Sequence, residues 1–170
     1  MANNTESPNT RVAPSDIAKW FLAKSLEDGE LISPLRMQKL VYYAYSWTLA
    51  IHKIRLFEER LQAWPNGPVV PSLYRELKKY KANPISEDYL GGDSLAQIDA
   101  RMGLSKAIHT TLDEVYNRYM SKTAFELVVL THSELPWHNA RSGLDAHASS
   151  EHQIDDADIL RQYRPAANSQ

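Results

Sequence analysis

The segment SPLRMQKLVYYAYSWTLAIH, residues 33–52, decides how this chain folds. Ser33 carries a short hydroxyl side chain that can cap the first free N–H groups of a helix. Pro34 follows at the first helical position, where a missing N–H costs nothing and the fixed φ suits the turn. Met37, Val41, Ala44, Thr48 and Ile51 then recur at steps of four and three, along one helical face. Leu40, Tyr43, Trp47 and Ala50 repeat that rhythm on the adjoining face. A helix apolar over so much of its circumference is surrounded by protein. The spacing therefore predicts a buried central helix from Pro34 to about His52. The fold class that follows is mainly α, a compact helical domain packed around that one helix.

Towards the N-terminus, Ser15 reads as a helix cap with Asp16 in the first turn. Ile17, Trp20, Phe21 and Leu26 give that helix an apolar stripe, and Gly29 closes it. Residues 1–14 are polar and read as a flexible leader. Towards the C-terminus, Arg55 to Trp64 breaks the helical period, and WPNGPVVP, residues 64–71, is turn chemistry. This region has room for a short β-hairpin near residues 55–70. Pro71 can open a short helix through Leu73, Leu77 and Tyr80. Residues 82–103 read as a long loop with one helical turn around Leu95 to Arg101.

Ser105 then caps a helix through Ile108, Leu112, Val115 and Tyr119, and Ser121 caps another through Ala124, Leu127, Val128 and Leu130. Pro136 and Trp137 start a short turn or helix toward Arg141. A loop follows, and Asp155 caps a last short acidic helix, Asp156 to Tyr163. The expected organisation is a leader (1–14), a helical domain (15–141) and a C-terminal extension (142–170).

Composition sets limits on function. The 170 residues are 43% hydrophobic and 24% charged, which suits one domain with a real core. There is no cysteine, so disulfides, thiolate metal sites and cysteine nucleophiles are excluded. No signal-peptide pattern and no run of about 18 apolar residues is present. A cytoplasmic protein with no membrane partner is expected. The net charge is -2, but Arg36 to Lys81 holds nine Lys/Arg against three Glu, with acidic segments on both sides. That centre can present a basic face to an acidic partner, or be a solvated face that the acidic segments neutralise.

No catalytic set emerges. His132, Glu134 and His138 lie close together, but six residues is not a whole number of helical turns, so the two imidazoles fall on different faces. No serine sits in a nucleophile motif, adjacent carboxylates point apart, and Gly91-Gly92 is not a phosphate loop. No enzyme activity, metal or cofactor is expected. Arg75, Lys78, Lys79 and Lys81 could contact phosphates, yet there is no helix-turn-helix signature and the pI is about 6.3. Nucleic acid is therefore not the expected partner.

What remains is a rigid centre edged by aromatics. Proline and glycine hold its backbone in a fixed irregular shape, so little entropy is lost on binding. Trp64, Pro68, Val69, Tyr74, Arg75, Lys78, Lys79, His132 and Trp137 are the candidate partner-binding residues. Alternatively, Trp64 and Pro68 plug the core against the long helix.

These pieces occur in an order that resembles a known family. IAKWFL, residues 17–22, resembles the opening helix of the SocA-like antitoxin, or Panacea, domain. Gln38, Lys39, Leu40, Tyr42 and Tyr43 stand where that family carries its LQKLLYYA helix. Ala63-Trp64 with Gly67-Pro68-Val69 resembles its AW-x-x-GPV segment, and Thr131-His132 with Pro136-Trp137 its closing TH…PW motif. The family more usually has a basic and aromatic pair where this chain has Pro65-Asn66. The resemblance implies an antitoxin that binds a cognate protein toxin directly. It also implies an alternative, an adaptor or co-regulator that hands a toxin or host protein to a protease or regulator.

Overall fold

A computed structural model describes residues 10–165, and in that span eight α-helices and one two-stranded hairpin are arranged around the expected central helix. Most of the expected leader, residues 1–9, lies outside the described residues. The elements are α1 (Pro14–Glu27), α2 (Pro34–His52), β1 (Gln62–Trp64), β2 (Gly67–Val69), α3 (Pro71–Leu77), α4 (Leu95–Met102), α5 (Lys106–Tyr119), α6 (Ala124–Ser133), α7 (Leu135–Ala140) and α8 (Asp156–Gln162).

Helix α2 forms as its sequence dictates. The Ser33 hydroxyl accepts a hydrogen bond from the Arg36 N–H at 3.3 Å, and Pro34 occupies the first turn. Every residue from Met37 to Ser46 is buried. Helices α1, α3, α5, α6 and α8 and strand β2 all pack on it. Tyr42, Tyr43 and Tyr45 are almost fully enclosed, and each large apolar side chain so buried adds roughly 1.5–3 kcal/mol. Ile51, the last member of the expected face, is 38% exposed because the end of α2 borders an open cleft beside α5.

Three local expectations need correction. Helix α1 is capped by Ala13, without a side-chain bond, and Pro14 rather than Ser15 opens it, since proline presets the first-turn φ. Helix α6 is capped by Thr123, not Ser121. Thr123 has Glu126 three residues later, and the two side chains satisfy each other's free amides in a capping box. The segment 82–103 keeps the expected turn around Leu95 to Arg101 but holds more helix than that, with a 3-10 turn at Glu87–Leu90 as well. A second capping box, Ser94 with Gln97, starts the two-turn helix α4.

The hairpin is antiparallel, pairing Gln62 with Val69, Ala63 with Pro68, and Trp64 with Gly67. The chain after residue 141 returns to it. The Ala63 N–H donates to the His152 carbonyl and the Ile154 N–H to the Leu61 carbonyl, both at 2.8 Å. Helix α8 then packs on α2, burying Ile159 and Tyr163, while Arg55 and Arg60 both reach the Asp156 carboxylate. The residues up to Tyr163 therefore share the core of the domain instead of standing outside it.

Gly67 sits where the hairpin touches α2 and α6. Its φ is +113°, and a Cβ there would lie 2.5 Å from Lys39 Cε and 2.9 Å from Thr131 Oγ1. Only glycine combines that backbone conformation with that approach. Gly67→Ala is expected to lower unfolding free energy by about 2–4 kcal/mol in urea titrations, from strain plus overpacking. A loss below about 1 kcal/mol would show that Lys39 swings aside freely.

Candidate functional site

Three elements converge on one groove. The first two turns of α2 supply Leu35 and Gln38, the hairpin supplies Trp64 and Val69, and α3 with the turn after it supplies Tyr74, Lys78 and Lys81. The groove encloses about 530 Å³. Pro71 starts α3 directly after β2, so the helix leaves the hairpin at a fixed position. Tyr74 and Lys78 are four residues apart and therefore share a helical face. Trp64 meets Tyr74 edge to face, with centroids 4.8 Å apart at 66°. Tyr74 is 44% exposed and Leu35 37% exposed, so the apolar floor is open to solvent. Lys78 and Lys81 stand at the edge as cations. Lys81 adopts φ 55° with ψ −122°, a backbone conformation that a non-glycine residue holds only under constraint.

The groove gathers four of the sequence candidates: Trp64, Val69, Tyr74 and Lys78. Arg75 and Lys79 are exposed on or just beyond α3 but do not line it. Pro68 is buried, and its carbonyl accepts a hydrogen bond from Lys39 Nζ at 3.1 Å. His132 and Trp137 stack on each other, with centroids 3.8 Å apart at 14°, and serve the frame. The indole N–H of Trp137 donates to the Trp64 carbonyl at 2.7 Å, and Arg141 donates to the Ala63 carbonyl at 2.9 Å. Leu35, Gln38 and Lys81 were missed as groove residues. Leu35 gave a usable signal, since it is an apolar residue in the first turn of α2 that belongs to neither buried face.

The residues that carry the family resemblance are inside. Gln38, Lys39, Leu40, Tyr42, Tyr43 and Gly67 are all buried. The Gln38 amide both donates to the Val70 carbonyl at 3.2 Å and accepts from the Val70 N–H at 2.9 Å. The Tyr43 hydroxyl donates to Glu134, and the Tyr163 hydroxyl donates to Tyr42 at 2.9 Å. The hairpin is thus held by α2 on one strand and by α7 with Arg141 on the other.

Burial sets the electrostatics of this frame. Lys39 is fully enclosed, and loss of hydration drops its ammonium pKa to about 7. Burial also lowers the pKa of His132, with its Pro65 hydrogen bond pulling the other way. Of the nine cations between Arg36 and Lys81, Lys39 is buried and Arg55 and Arg60 are paired with Asp156. Arg36 is half-buried and donates to the Leu31 and Met120 carbonyls, and Lys53 is exposed alone at the end of α2, so the clustered outward cations of that segment are Arg75, Lys78, Lys79 and Lys81. Among the described residues, no group of three or more His, Asp or Glu side chains could hold a metal ion. Among them, too, no helix is long and apolar enough to cross a membrane.

Comparison with known proteins returns one family. The family model described as "Antitoxin SocA-like, Panacea domain" matches residues 37–138. No curated protein and no solved structure matches the chain significantly.

The buried lysine makes stability depend on pH in a definite direction. Unfolded, Lys39 titrates near 10.5, and folded near 7, so between these values the unfolded chain binds the extra proton. The Lys39 contribution therefore rises with pH across that window and is at its lowest below it. Lys39→Met removes it. The stability of the native chain minus that of Lys39→Met, from urea unfolding, is expected to grow between about pH 6.5 and about pH 9.5. The tyrosines titrate in both proteins and cancel. A flat difference would place the Lys39 amine in contact with water.

Proposed function

Because the chain belongs to the SocA-like antitoxin, Panacea domain family, we propose that it is an antitoxin that neutralises a cognate toxin by direct protein–protein binding, with no chemistry of its own. The groove carries this reading. It joins an aromatic pair, Trp64 and Tyr74, to a backbone fixed by Pro65, Pro68 and Pro71. Rigid aromatic anchors in a preformed hollow are where interface energy concentrates, because few side chains lose freedom on binding. The rim is positive at Lys78 and Lys81, so the matching toxin segment carries an apolar side chain beside one or more carboxylates. The toxin's surface would then be covered rather than altered.

One observation favours a second reading, an adaptor that holds the toxin and hands it to a protease or regulator. Phe125 and Val129 on α6 are 74% and 51% exposed, and four residues apart they form an apolar patch separate from the groove. A third protein could dock there while the toxin occupies the groove.

The product of a neighbouring gene, induced with and without this chain and followed by co-purification, tests both readings. Direct neutralisation predicts growth arrest alone, recovery with this chain, and elution of the two proteins together. The double variant Lys78→Glu, Lys81→Glu is expected to slow association about tenfold at low salt and less at high salt, with folding unchanged because both side chains are exposed. Tyr74→Ala is expected to weaken the complex by about 1–3 kcal/mol. Recovery without a complex would move the reading to the adaptor, for which Phe125→Asp should abolish recovery. A neighbour that does no harm, alone or in combination, would remove both.

A further inference from the structure

On the other half of α2 the chain builds a second cleft, of about 610 Å³, that none of the functions above uses. Gln38 of the groove and Trp47 of this cleft are separated by about 14 Å along the helix axis. The cleft is walled by Trp47, Tyr119 and Tyr163, with Glu134 and Gln162 in its lining and Arg118, Lys122 and Arg164 as its cations. It adjoins a hollow of about 450 Å³ that shares Trp47, Arg118, Tyr119 and Arg164 and adds the single acid Glu114.

We propose that this cleft is a binding site for a nucleotide-class ligand, a planar heteroaromatic ring joined to a phosphate group. Three features combine in favour of that chemistry. First, none of the three cations forms an ion pair within 4.0 Å among the described residues, although carboxylates pair elsewhere on the surface. The three cations outnumber the one carboxylate in the lining, Glu134, whose charge already interacts with Arg118, so the cleft attracts an anion, and the planar guanidinium groups match phosphate geometry. Second, the Arg118 guanidinium lies 5.2 Å from the Trp47 ring centroid and 5.5 Å from that of Tyr119. It is held on aromatic rings at the mouth and offers a stacking plane as well as a charge.

Third, the walls can read a base edge. Gln162 Oε1 accepts the Leu135 N–H at 2.9 Å, which fixes the amide and leaves its two N–H groups as donors. Glu134 accepts from the Tyr43 hydroxyl, and burial raises its carboxyl pKa, which makes it a ready acceptor or, protonated, a donor. The aromatic wall is braced from behind. Tyr119 stacks on Tyr43 at 3.9 Å, the Trp47 indole N–H donates to the Tyr119 hydroxyl at 2.8 Å, and Trp47 packs edge-on to Tyr163. The site is therefore preformed, and its volume falls in the range of small-molecule pockets.

The full chain titrated with ATP or GTP, followed by calorimetry and tryptophan fluorescence, tests this. Adenosine and inorganic pyrophosphate serve as the two halves of the ligand. The expected result is nucleotide binding with Kd on the order of 10–100 µM, quenched tryptophan emission, and clearly weaker binding of either half. Arg118→Ala and Arg164→Ala each remove a charge-assisted contact and should weaken binding about tenfold or more. Both side chains are exposed, and Arg118→Ala gives up only the contacts on Trp47 and Tyr119, so the thermal unfolding midpoint of each variant without ligand should fall by no more than a few degrees. No binding by either nucleotide overturns the proposal. So does pyrophosphate binding as tightly as the nucleotides, which would leave only an anion-attracting surface. Nucleotide binding that neither arginine variant weakens would also overturn it, since the ligand would then sit elsewhere.

Discussion

Two polar side chains on the most enclosed part of the central helix hold the rest in place. A two-stranded hairpin with three residues per strand is not stable alone in water. Here Gln38 pairs with both backbone groups of Val70, doing for β2 and the residue after it what a third strand would do. Lys39 gives the Pro68 carbonyl its partner. Buried backbone groups must find partners, and α2 supplies them from side chains. The start of α3, the placement of Tyr74 and the shape of the groove all follow from where the hairpin is pinned.

The lysine is an expensive way to satisfy one carbonyl. A buried ammonium loses its hydration, and nothing acidic is paired with it, which is why its pKa falls so far. What it brings is length. The chain of Lys39 reaches under Gly67, and the glycine leaves the space that its Cε occupies. The two residues are therefore coupled: a side chain at one position excludes the long side chain at the other. On the opposite strand the neutral stack of His132 on Trp137 does the same job by apolar contact and one indole hydrogen bond.

The sequence made some of this legible and hid the rest for physical reasons. The Ser33-Pro34 start and the four–three spacing of apolar residues set the bounds of α2, because capping and burial are local to the segment. The turn residues around Gly67 likewise marked the hairpin, and Ser105 and Asp155 marked α5 and α8. The burial of Lys39 could not be read, because a lysine on a helix reads as a solvated charge until a neighbouring strand is placed over it. For the same reason the count of cations between Arg36 and Lys81 overstated the basic face. In the groove, Trp64, Tyr74 and Lys78 were legible as unusual residues near turns. Lys81 and Leu35 depended on how α3 crosses the first turn of α2, and that is tertiary. The return of residues 152–154 to β1 left no local mark, since its hydrogen bonds are backbone to backbone and can be made by any sequence.

Buried motifs and exposed rims divide the work of this fold. Gln38, Lys39, Tyr42, Tyr43 and Gly67 are closed off from solvent, and His132 and Trp137 face each other. Residues so placed can shape a binding surface, but most of their atoms cannot touch a partner. Under the proposed function, recognition rests on side chains that reach water around the same frame: Leu35, Asn66, Tyr74, Lys78 and Lys81. Asn66 belongs to this set because it stands at the turn between β1 and β2, so a change there alters the rim without disturbing the frame. A domain built this way can keep one buried signature while its rim changes from one partner to the next. Changes of rim charge cost little stability, since exposed side chains contribute little to it. The match to the family therefore identifies the frame, and under the proposed function the choice of partner falls to the few exposed residues that the frame holds still.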